Sequence, residues 1–308
     1  EADRGAFLPV AGAGNEGLKR AVERDAAASG IVRFLRFLPP GTRGKTRLAR
    51  WLMTHDDIAG EAELVDRFGL HFSLPSLAEP IAFHLLIDGV YEPDVLSFIV
   101  GHLQTRQPDA VFVDVGASVG ALTIPVAQAI SPTGRVIAVE ASTRIIRYLS
   151  RNVAANALGN VHCVAAAATD AEGEVDFYEA PIDHFGMGSM GAQFYARPSA
   201  VVGRPLDDIL TGASIQRVDV LKIDVEGFEA KALRGAEHLL RGANPPVVVF
   251  EFIDWAEARM PGGAPGDAQC LLRDWGFRIF RLEDFVRGGN PLTEILTTGG
   301  EMLVAQRA

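Results

Sequence analysis

The stretch VFVDVGASVG, residues 111–120, decides the fold class of this 308-residue chain. Four of its first five residues are apolar, which predicts a buried strand, and Gly116 and Gly120 mark the turn into a following helix. The last five letters, GASVG, also match the G-x-S-x-G pattern of a serine-hydrolase nucleophile. The turn therefore either presents Ser118 as a nucleophile or brings its backbone close to a ligand.

The composition excludes several protein classes. With 48% hydrophobic and 22% charged residues, the chain reads as an ordinary globular protein. Its formal net charge of −10 disfavours nucleic acid as a partner, since phosphate attraction needs a positive field. The two cysteines build neither a disulfide framework nor a zinc site, and no apolar run reaches transmembrane length. No secretory signal is visible, so we expect a cytoplasmic protein, and a homo-oligomer remains possible.

From about residue 90 onward, apolar runs alternate with helical patterns. We predict strands at 111–115, 136–140, 161–166, 218–224, 247–252, 277–282 and 302–306, and helices near 91–105, 119–130, 143–156, 228–241 and 267–275. The last two strands have no helix between them, which predicts an antiparallel pair at one edge. The pattern is typical of an α/β fold with a doubly wound, mostly parallel seven-stranded sheet. We assign residues 86–308 to this catalytic domain and residues 1–85 to a mostly helical N-terminal extension.

The extension contains a dense basic cluster in an otherwise acidic chain. Residues 1–30 show no lasting periodicity and are interpreted as a loosely held or partly helical arm. Residues 31–53 carry six Arg or Lys and no acid, and they predict two short amphipathic helices split by Pro39, Pro40 and Gly41. The cluster is either a solvated helix face or a contact for an anionic substrate, a membrane surface or a partner subunit.

Two carboxylates favour the interpretation of GASVG as a ligand-binding turn over its interpretation as the nucleophile turn of a serine hydrolase. None of the later histidines lies in a suitable loop after the last helical unit, and no oxyanion-hole segment precedes the turn. Asp114 lies inside the first strand, and Glu140 ends the next strand, 20 residues after Gly120. A carboxylate at the end of the second strand, where Glu140 stands, can accept hydrogen bonds from both hydroxyls of a ribose. This position therefore indicates a nucleoside cofactor. The alternative is that both acids only cap helices.

Five segments carry a family resemblance. They are GVYEP at 89–93, FVDVGASVG at 112–120, VIAVEAS at 136–142, PLDDIL at 205–210 and DVLKIDVEGFE at 219–229. Together they resemble the motifs of the FkbM-type S-adenosylmethionine-dependent methyltransferases, and KIDVEG is the most specific of them. Ser118 stands where that family more often has Asn. The resemblance covers roughly residues 85–255 and implies a class I, Rossmann-like methyltransferase fold.

The resemblance also implies roles for individual residues toward S-adenosylmethionine. It implies that Glu140 binds the ribose hydroxyls and that Tyr91 and Glu92 close the pocket near the methionine end. The methionine and ribose part would be lined by Asp114, Gly116, Ala117, Ser118 and Gly120, and the adenine by Ala141, Ser142, Ala168, Thr169 and Asp170.

The acids that follow the fourth and fifth main strands are candidates for the chemistry. A hydroxyl needs alignment and a proton acceptor, or a metal ion, before it can take a methyl group. Our hypothesis is that Asp224 contacts both the cofactor and the acceptor, and that Glu226, or His184 in the Gly/Met-rich loop 183–191, is the base. A second hypothesis groups Asp224, Glu226 and Glu251 as ligands of Mg²⁺. Alternatively, Glu226 only caps a helix and His184 is an exposed bystander.

The resemblance thus implies an O-methyltransferase, because members of the family mostly methylate hydroxyl oxygens, often on sugars or natural products. The expected acceptor is a hydroxyl of a small metabolite, a sugar or a glycosylated natural product, which places the enzyme in natural product biosynthesis. Two other classes remain open, an NAD(P)-dependent oxidoreductase and a non-catalytic cofactor-binding protein. Ser118 in place of the middle glycine of G-x-G-x-x-G argues against the first, and Asp224 with Glu226 argues against the second.

Overall fold

The computed structural model describes residues 26–130 and 132–307. The arm expected over residues 1–30 therefore lies largely outside the described residues. The helices are α1 (Ala26–Phe37), α2 (Lys45–Leu52), α3 (His55–Ile58), α4 (Pro80–Asp88), α5 (Pro93–Gln104), α6 (Thr123–Ile130), α7 (Ile145–Ala155), α8 (Leu206–Gly212), α9 (Glu229–Arg234), α10 (Glu237–Arg241), α11 (Asp254–Glu257), α12 (Asp267–Asp274) and α13 (Leu282–Val286). The strands are β1 (Ala62–Val65), β2 (His71–Leu74), β3 (Val111–Val115), β4 (Arg135–Glu140), β5 (Val161–Ala165), β6 (Ala167–Ala168), β7 (Gly173–Phe177), β8 (Ser199–Arg204), β9 (Val220–Ile223), β10 (Val247–Ile253), β11 (Phe277–Arg281) and β12 (Gly300–Arg307).

The central sheet has seven strands in the order β11–β12–β10–β9–β3–β4–β5. The five strands from β10 to β5 pair in parallel, and β12 is antiparallel to both of its neighbours. This confirms the predicted doubly wound, mostly parallel sheet with an antiparallel pair at one edge. The connection between β11 and β12 contains the short helix α13, so the expectation that no helix separates the last two strands is wrong.

Both faces of the sheet are buried, as its apolar strands require. Phe112 of β3 packs into a core with α4, α5 and α6, whereas its neighbours Val111 and Val113 pack into a second core on the opposite face. The alternation follows from the two-residue period of a strand. Asp114 shares this environment at 1% exposure and accepts a hydrogen bond of 2.6 Å from the Thr123 hydroxyl.

The N-terminal extension joins the sheet domain through packing and hydrogen bonds. Helices α1 and α2 form on either side of Pro39–Gly41, as predicted. The strands β1 and β2 pair as an antiparallel hairpin, which the expectation of a mostly helical extension missed. Asn152 of α7, fully buried, accepts from the Ser73 N–H (2.7 Å) and donates to the carbonyls of Ser73 and Val119. The domain boundary near residue 85 stays a prediction.

Two further features position the site. The strands β6, β8 and β7 form a separate three-stranded sheet, and a 3₁₀ turn over Ile182–Met187 follows β7. The helix predicted over 228–241 is divided into α9 and α10 near Gly235, where a Cβ atom would overlap the backbone oxygen of Thr169. No helix among the described residues is both long and apolar enough to cross a membrane.

Candidate functional site

A cavity opens at the carboxyl ends of the parallel strands, where α/β sheets hold their ligands. Strands β3, β4, β9 and β10 all contribute to its wall. The polar residues that these strand ends supply are Ser118, Glu140, Ser142, Asp224, Glu226 and Glu251. Gly116 permits the close approach of β3 and β9, because a Cβ there would overlap the backbone oxygen of Asp224. Its φ of +79° also suits glycine.

Glu140 is a carboxylate held in a fixed orientation. One oxygen accepts from the Ser118 N–H and the other from the Ser142 N–H, both at 2.8 Å. Each oxygen keeps a second lone pair, so both can still accept a hydroxyl from a ligand. Burial raises the pKa of Glu140 to about 7, and the two N–H donors oppose that rise.

The side chain of Ser118 supports a polar ligand at the same place. Ser118 has a φ of +49°, and its hydroxyl is buried without a hydrogen-bond partner among the described residues. A buried hydroxyl without a partner is costly, and a ligand with polar groups would satisfy it. Glu140, at 8% exposure, offers the acceptors for such a ligand, and the roles of both residues toward S-adenosylmethionine stay predictions.

A buried lysine holds the carboxylates of β3 and β9 together. Lys222, at 3% exposure, places its Nζ atom 3.1 Å from Asp224 Oδ2 and 3.6 Å from Asp114 Oδ1. Burial alone would lower the pKa of Lys222, but Asp224, Asp114 and Glu92 together raise it above its ordinary value. The lysine is therefore a permanent cation that fixes Asp224 at the cavity wall.

Three acids crowd one end of the cavity. Asp224, Glu226 and Glu251 each offer an oxygen atom within 4.8 Å of the others. Burial, followed by repulsion from Asp224 and Glu229, raises the pKa of Glu226 to about 8. The same two causes, burial and then the charge of Asp224, raise the pKa of Glu251 strongly. The cluster can thus hold and release protons near neutral pH.

Glu79 and Tyr91, which flank α4, line the cavity, and Glu92 follows Tyr91 in the chain. Tyr91 lines the cavity, and Glu92 lies behind it, where burial and the charge of Asp224 raise the pKa of Glu92 to about 7. Glu79 also lines the cavity, and burial raises its pKa to about 7. The sequence analysis missed Glu79, although an acid directly before Pro80 is a signal for the start of a helix. Its Oε2 atom accepts from the Ala82 N–H at 3.1 Å.

The structure brings most, but not all, of the predicted residues into the cavity wall. Ala141 and Ala168 line it beside Glu140, and Trp255 lines it near the acids. The wall does not include Glu92, Asp114, Ala117, Gly120, Thr169, Asp170 or His184. Among these, the Thr169 hydroxyl donates to the carbonyl of Ala171, and Asp170 lies 3.8 Å from Lys231. Their roles toward the cofactor stay predictions.

His184 lies outside the cavity, in the 3₁₀ turn. Its side chain is exposed, and its ring lies 5.7 Å from that of Phe194. Part of the apolar wall comes from the same region. This part includes Phe177, Phe185, Met187 and Met190. Only the placement of the small sheet against the large one brings these residues to the cavity.

Comparison with known proteins places this geometry in a family. Residues 114–279, more than half of the chain, match the family model described as the methyltransferase FkbM domain. Among solved structures, the chain is similar to precorrin-6y C5,15-methyltransferase from Geobacter metallireducens, with 15% identity over 71% of this chain and 93% of that one, at a TM-score of 0.41. It is also similar to methyltransferase FkbM from Methylobacillus flagellatus, with 17% identity over 73% of this chain and 52% of that one, at a TM-score of 0.41.

A third similar structure is an S-adenosylmethionine-dependent O-methyltransferase from Thermotoga maritima, with 13% identity over 71% of this chain and 66% of that one, at a TM-score of 0.40. No curated protein matches the chain. The family match begins at the end of β3 and covers β4, β9 and β10 in full, and these are the strands that build the cavity. The chain therefore belongs to the FkbM methyltransferases, S-adenosylmethionine-dependent enzymes with the class I fold.

Proposed function

We propose that this enzyme transfers the methyl group of S-adenosylmethionine to a hydroxyl of a small metabolite, a sugar or a glycosylated natural product. One observation carries the proposal. A single cavity joins Glu140, a carboxylate fixed by two backbone N–H groups, to Glu226, an acid whose pKa is raised to about 8. We expect the reaction to take place in the cytoplasm, with no nucleic acid as partner.

The residues of β3 and β4 hold the cofactor in this proposal. S-adenosylmethionine supplies a methyl group that is already activated by the positive sulfonium. Glu140 accepts the ribose hydroxyls through its free lone pairs, and the Ser118 hydroxyl pairs with a polar group of the bound molecule. Asp224 lines the same cavity and is fixed by Lys222, whose Nζ atom lies 3.1 Å from Asp224 Oδ2. It supplies negative charge at the end of the cavity where Glu226 and Glu251 lie.

Glu226 is the proposed base that accepts the proton of the acceptor hydroxyl. A base works best when its pKa lies near the working pH, and the pKa of about 8 meets this condition. Glu226 lines the cavity, and its Oε2 atom is buried without a hydrogen-bond partner among the described residues. His184, the other candidate, is exposed and outside the wall, so the geometry favours Glu226.

The Mg²⁺ hypothesis is an alternative for the same three acids. Their oxygen atoms lie close enough together for a shared cation, but the raised pKa values of Glu226 and Glu251 support proton uptake by these two acids instead. We favour proton uptake. Turnover that survives EDTA treatment would agree with this, and turnover that EDTA removes and Mg²⁺ restores would favour the metal.

Trp255 is a candidate for binding the acceptor. It lines the cavity but remains 46% exposed, so it lies at the mouth. The guanidinium of Arg259 stacks on its ring at 4.1 Å and donates to Gln193 Oε1 at 2.7 Å. A rigid aromatic face beside fixed polar groups suits a sugar, which presents C–H faces and hydroxyls together.

The test is a screen of hydroxylated acceptors for methyl-donor consumption, with Glu226→Gln as the variant. We expect E226Q to lose roughly 100-fold in kcat, because general-base catalysis contributes about that much or more. The wild-type rate should rise with pH to a plateau above about pH 8, the pKa of Glu226, and the profile of E226Q should be flat. H184A and the exposed control E237Q should keep full activity.

Other outcomes would decide against the proposal. An E226Q variant with the turnover and pH profile of the wild type would remove Glu226 from the mechanism. Binding of S-adenosylhomocysteine without donor consumption for any acceptor would favour the non-catalytic alternative. Hydride transfer from NAD(P)H would favour the oxidoreductase.

A further inference from the structure

The helices α1 and α2 carry the same five-residue pattern. Residues 33–37 read RFLRF and residues 47–51 read RLARW, an arginine followed by an apolar residue, a buried residue, a second arginine and an aromatic. The central residues, Leu35 and Ala49, are fully buried. Residues three or four apart share one face of a helix, so the apolar and aromatic positions of each pattern point together, away from the core.

The inner cations of this segment anchor both helices to α4. Arg36 donates to the carbonyls of Leu86 (2.8 Å), Leu85 (3.0 Å) and Val65 (2.8 Å). The buried Lys45 lies 2.5 Å from Asp88 at the end of α4. Helices α1 and α2 are both fixed to α4 and contact each other, so their outer sides are neighbours on the surface.

The outer side is unusually apolar for a surface and positively charged. Phe37 and Trp51 are 87% and 80% exposed, the highest values among the large hydrophobic residues of the described ranges. Phe34 and Leu48 are exposed beside them. Arg33 and Arg47 are exposed and form no ion pair within the described part of the chain, and residues 26–54 contain no acid.

We propose that this surface, the α1–α2 face (Arg33, Phe34, Phe37, Arg47, Leu48 and Trp51), binds an anionic phospholipid bilayer. Aromatic side chains insert at the level of the lipid headgroups, and arginines pair with lipid phosphates while their stems cover apolar surface. The proposal goes beyond the proposed catalytic function and does not depend on it.

Charge complementarity selects a bilayer over a second copy of the chain. Two copies that met through this face would oppose arginine to arginine, which repels. An anionic lipid surface has the opposite sign. The net charge of −10 does not prevent binding, because charges more than about 10 Å from the bilayer are screened at physiological salt.

The experiment is flotation of the full chain with vesicles of phosphatidylcholine alone or of phosphatidylcholine with phosphatidylglycerol. We expect binding only to the anionic vesicles, with a loss of affinity at high salt. The variant R33Q/R47Q should bind about thirty-fold more weakly, since each arginine near an anionic surface contributes roughly five-fold. The variant F37S/W51S should also lose binding, through the loss of apolar insertion.

A matched control comes from another exposed surface. V286S/R287Q removes the exposed apolar residue at the end of α13 and the exposed arginine that follows it, and should bind like the wild type. Vesicles should shift the tryptophan emission of the wild type to the blue, and W51S should lose this shift. Unchanged binding of S-adenosylhomocysteine would show that each variant is folded.

Three results would overturn the proposal. The first is no binding of the full chain to anionic vesicles at low salt. The second is vesicle binding that neither double variant weakens. The third is a dimer in analytical ultracentrifugation that F37S/W51S converts to a monomer, because the occupant would then be a second copy.

Discussion

Replacement of Lys222 by methionine should destabilise the fold strongly at neutral pH. The Lys222 ammonium is buried between Asp224, at 3.1 Å, and Asp114, at 3.6 Å. With an effective dielectric constant of about 20, each attraction amounts to roughly 5 kcal/mol before the cost of burying the ions is subtracted. Removal of one partner from such a group costs about 3–5 kcal/mol, because the remaining charges stay buried without compensation.

The assay is urea denaturation followed by circular dichroism at about pH 8 and about pH 5.5. K222M should lose less stability at the lower pH, because protons can then replace the missing cation among the carboxylates. The double variant K222M/D114N should recover part of the loss, since one of the two uncompensated charges is gone. The control is K231M, whose ammonium lies 3.8 Å from the exposed Asp170 and should contribute less than about 1 kcal/mol.

The result that refutes this reasoning is a K222M variant that loses no more stability than K231M at about pH 8. A loss of equal size at both pH values would also contradict it, because uncompensated carboxylates must respond to protons. In either case, Lys222 would not be the cation that holds β3 and β9 together.

Two further predictions concern the cavity wall. Burial raises the pKa of Glu79 from 4.5 to about 7, so its stabilising contribution is complete below about pH 4.5 and is lost as the pH rises through 7. Relative to E79Q, the wild type should therefore lose up to roughly 3 kcal/mol of unfolding free energy over that pH range. Urea denaturation of both proteins at several pH values measures this loss. A difference in unfolding free energy between the two proteins that does not change with pH would contradict the pKa shift. Gly116→Ala should abolish binding of S-adenosylhomocysteine in calorimetry, because the added Cβ would overlap the backbone of Asp224. The control G101A, whose added Cβ meets no atom within 4 Å, should bind normally. Normal binding by G116A would mean that this turn does not shape the site.

The strands of the sheet could be predicted from sequence because both faces of the sheet are buried. The predicted strand 111–115 has the bounds of β3, and the apolar run over 247–252 differs from β10 by one residue. Such runs need no tertiary information, since burial on two sides permits few polar residues.

The hairpin of β1 and β2 has a weaker sequence signal than the strands of the central sheet. Its first strand reads AELV, half exposed, and short segments of this kind do not separate strand from helix. Asp66 accepts hydrogen bonds from the N–H groups of Phe68 and Leu70, both at 2.8 Å, and forms the turn of the hairpin. An aspartate followed closely by Gly69 is a turn signal that could have located it.

The polar half of the site follows from topology, and the apolar half does not. Glu140, Asp224 and Glu251 each lie at or near the end of a parallel strand, so the sheet order brings them to one edge. Phe177 and Phe185 reach the cavity only because the small sheet and its 3₁₀ turn fold over that edge. No local pattern in the sequence encodes that contact. The same turn places His184 outside the cavity wall, which the sequence pattern could not show.

The most direct test of the central claim is calorimetric titration with S-adenosylhomocysteine. The account predicts micromolar binding by the wild type and at least tenfold weaker binding by Glu140→Ala, because hydrogen bonds to a charged carboxylate contribute about 1.5–3 kcal/mol each. The exposed control E174A should bind like the wild type. No binding by the wild type, or an E140A variant with unchanged affinity, would contradict the assignment of the cofactor ribose to the end of β4.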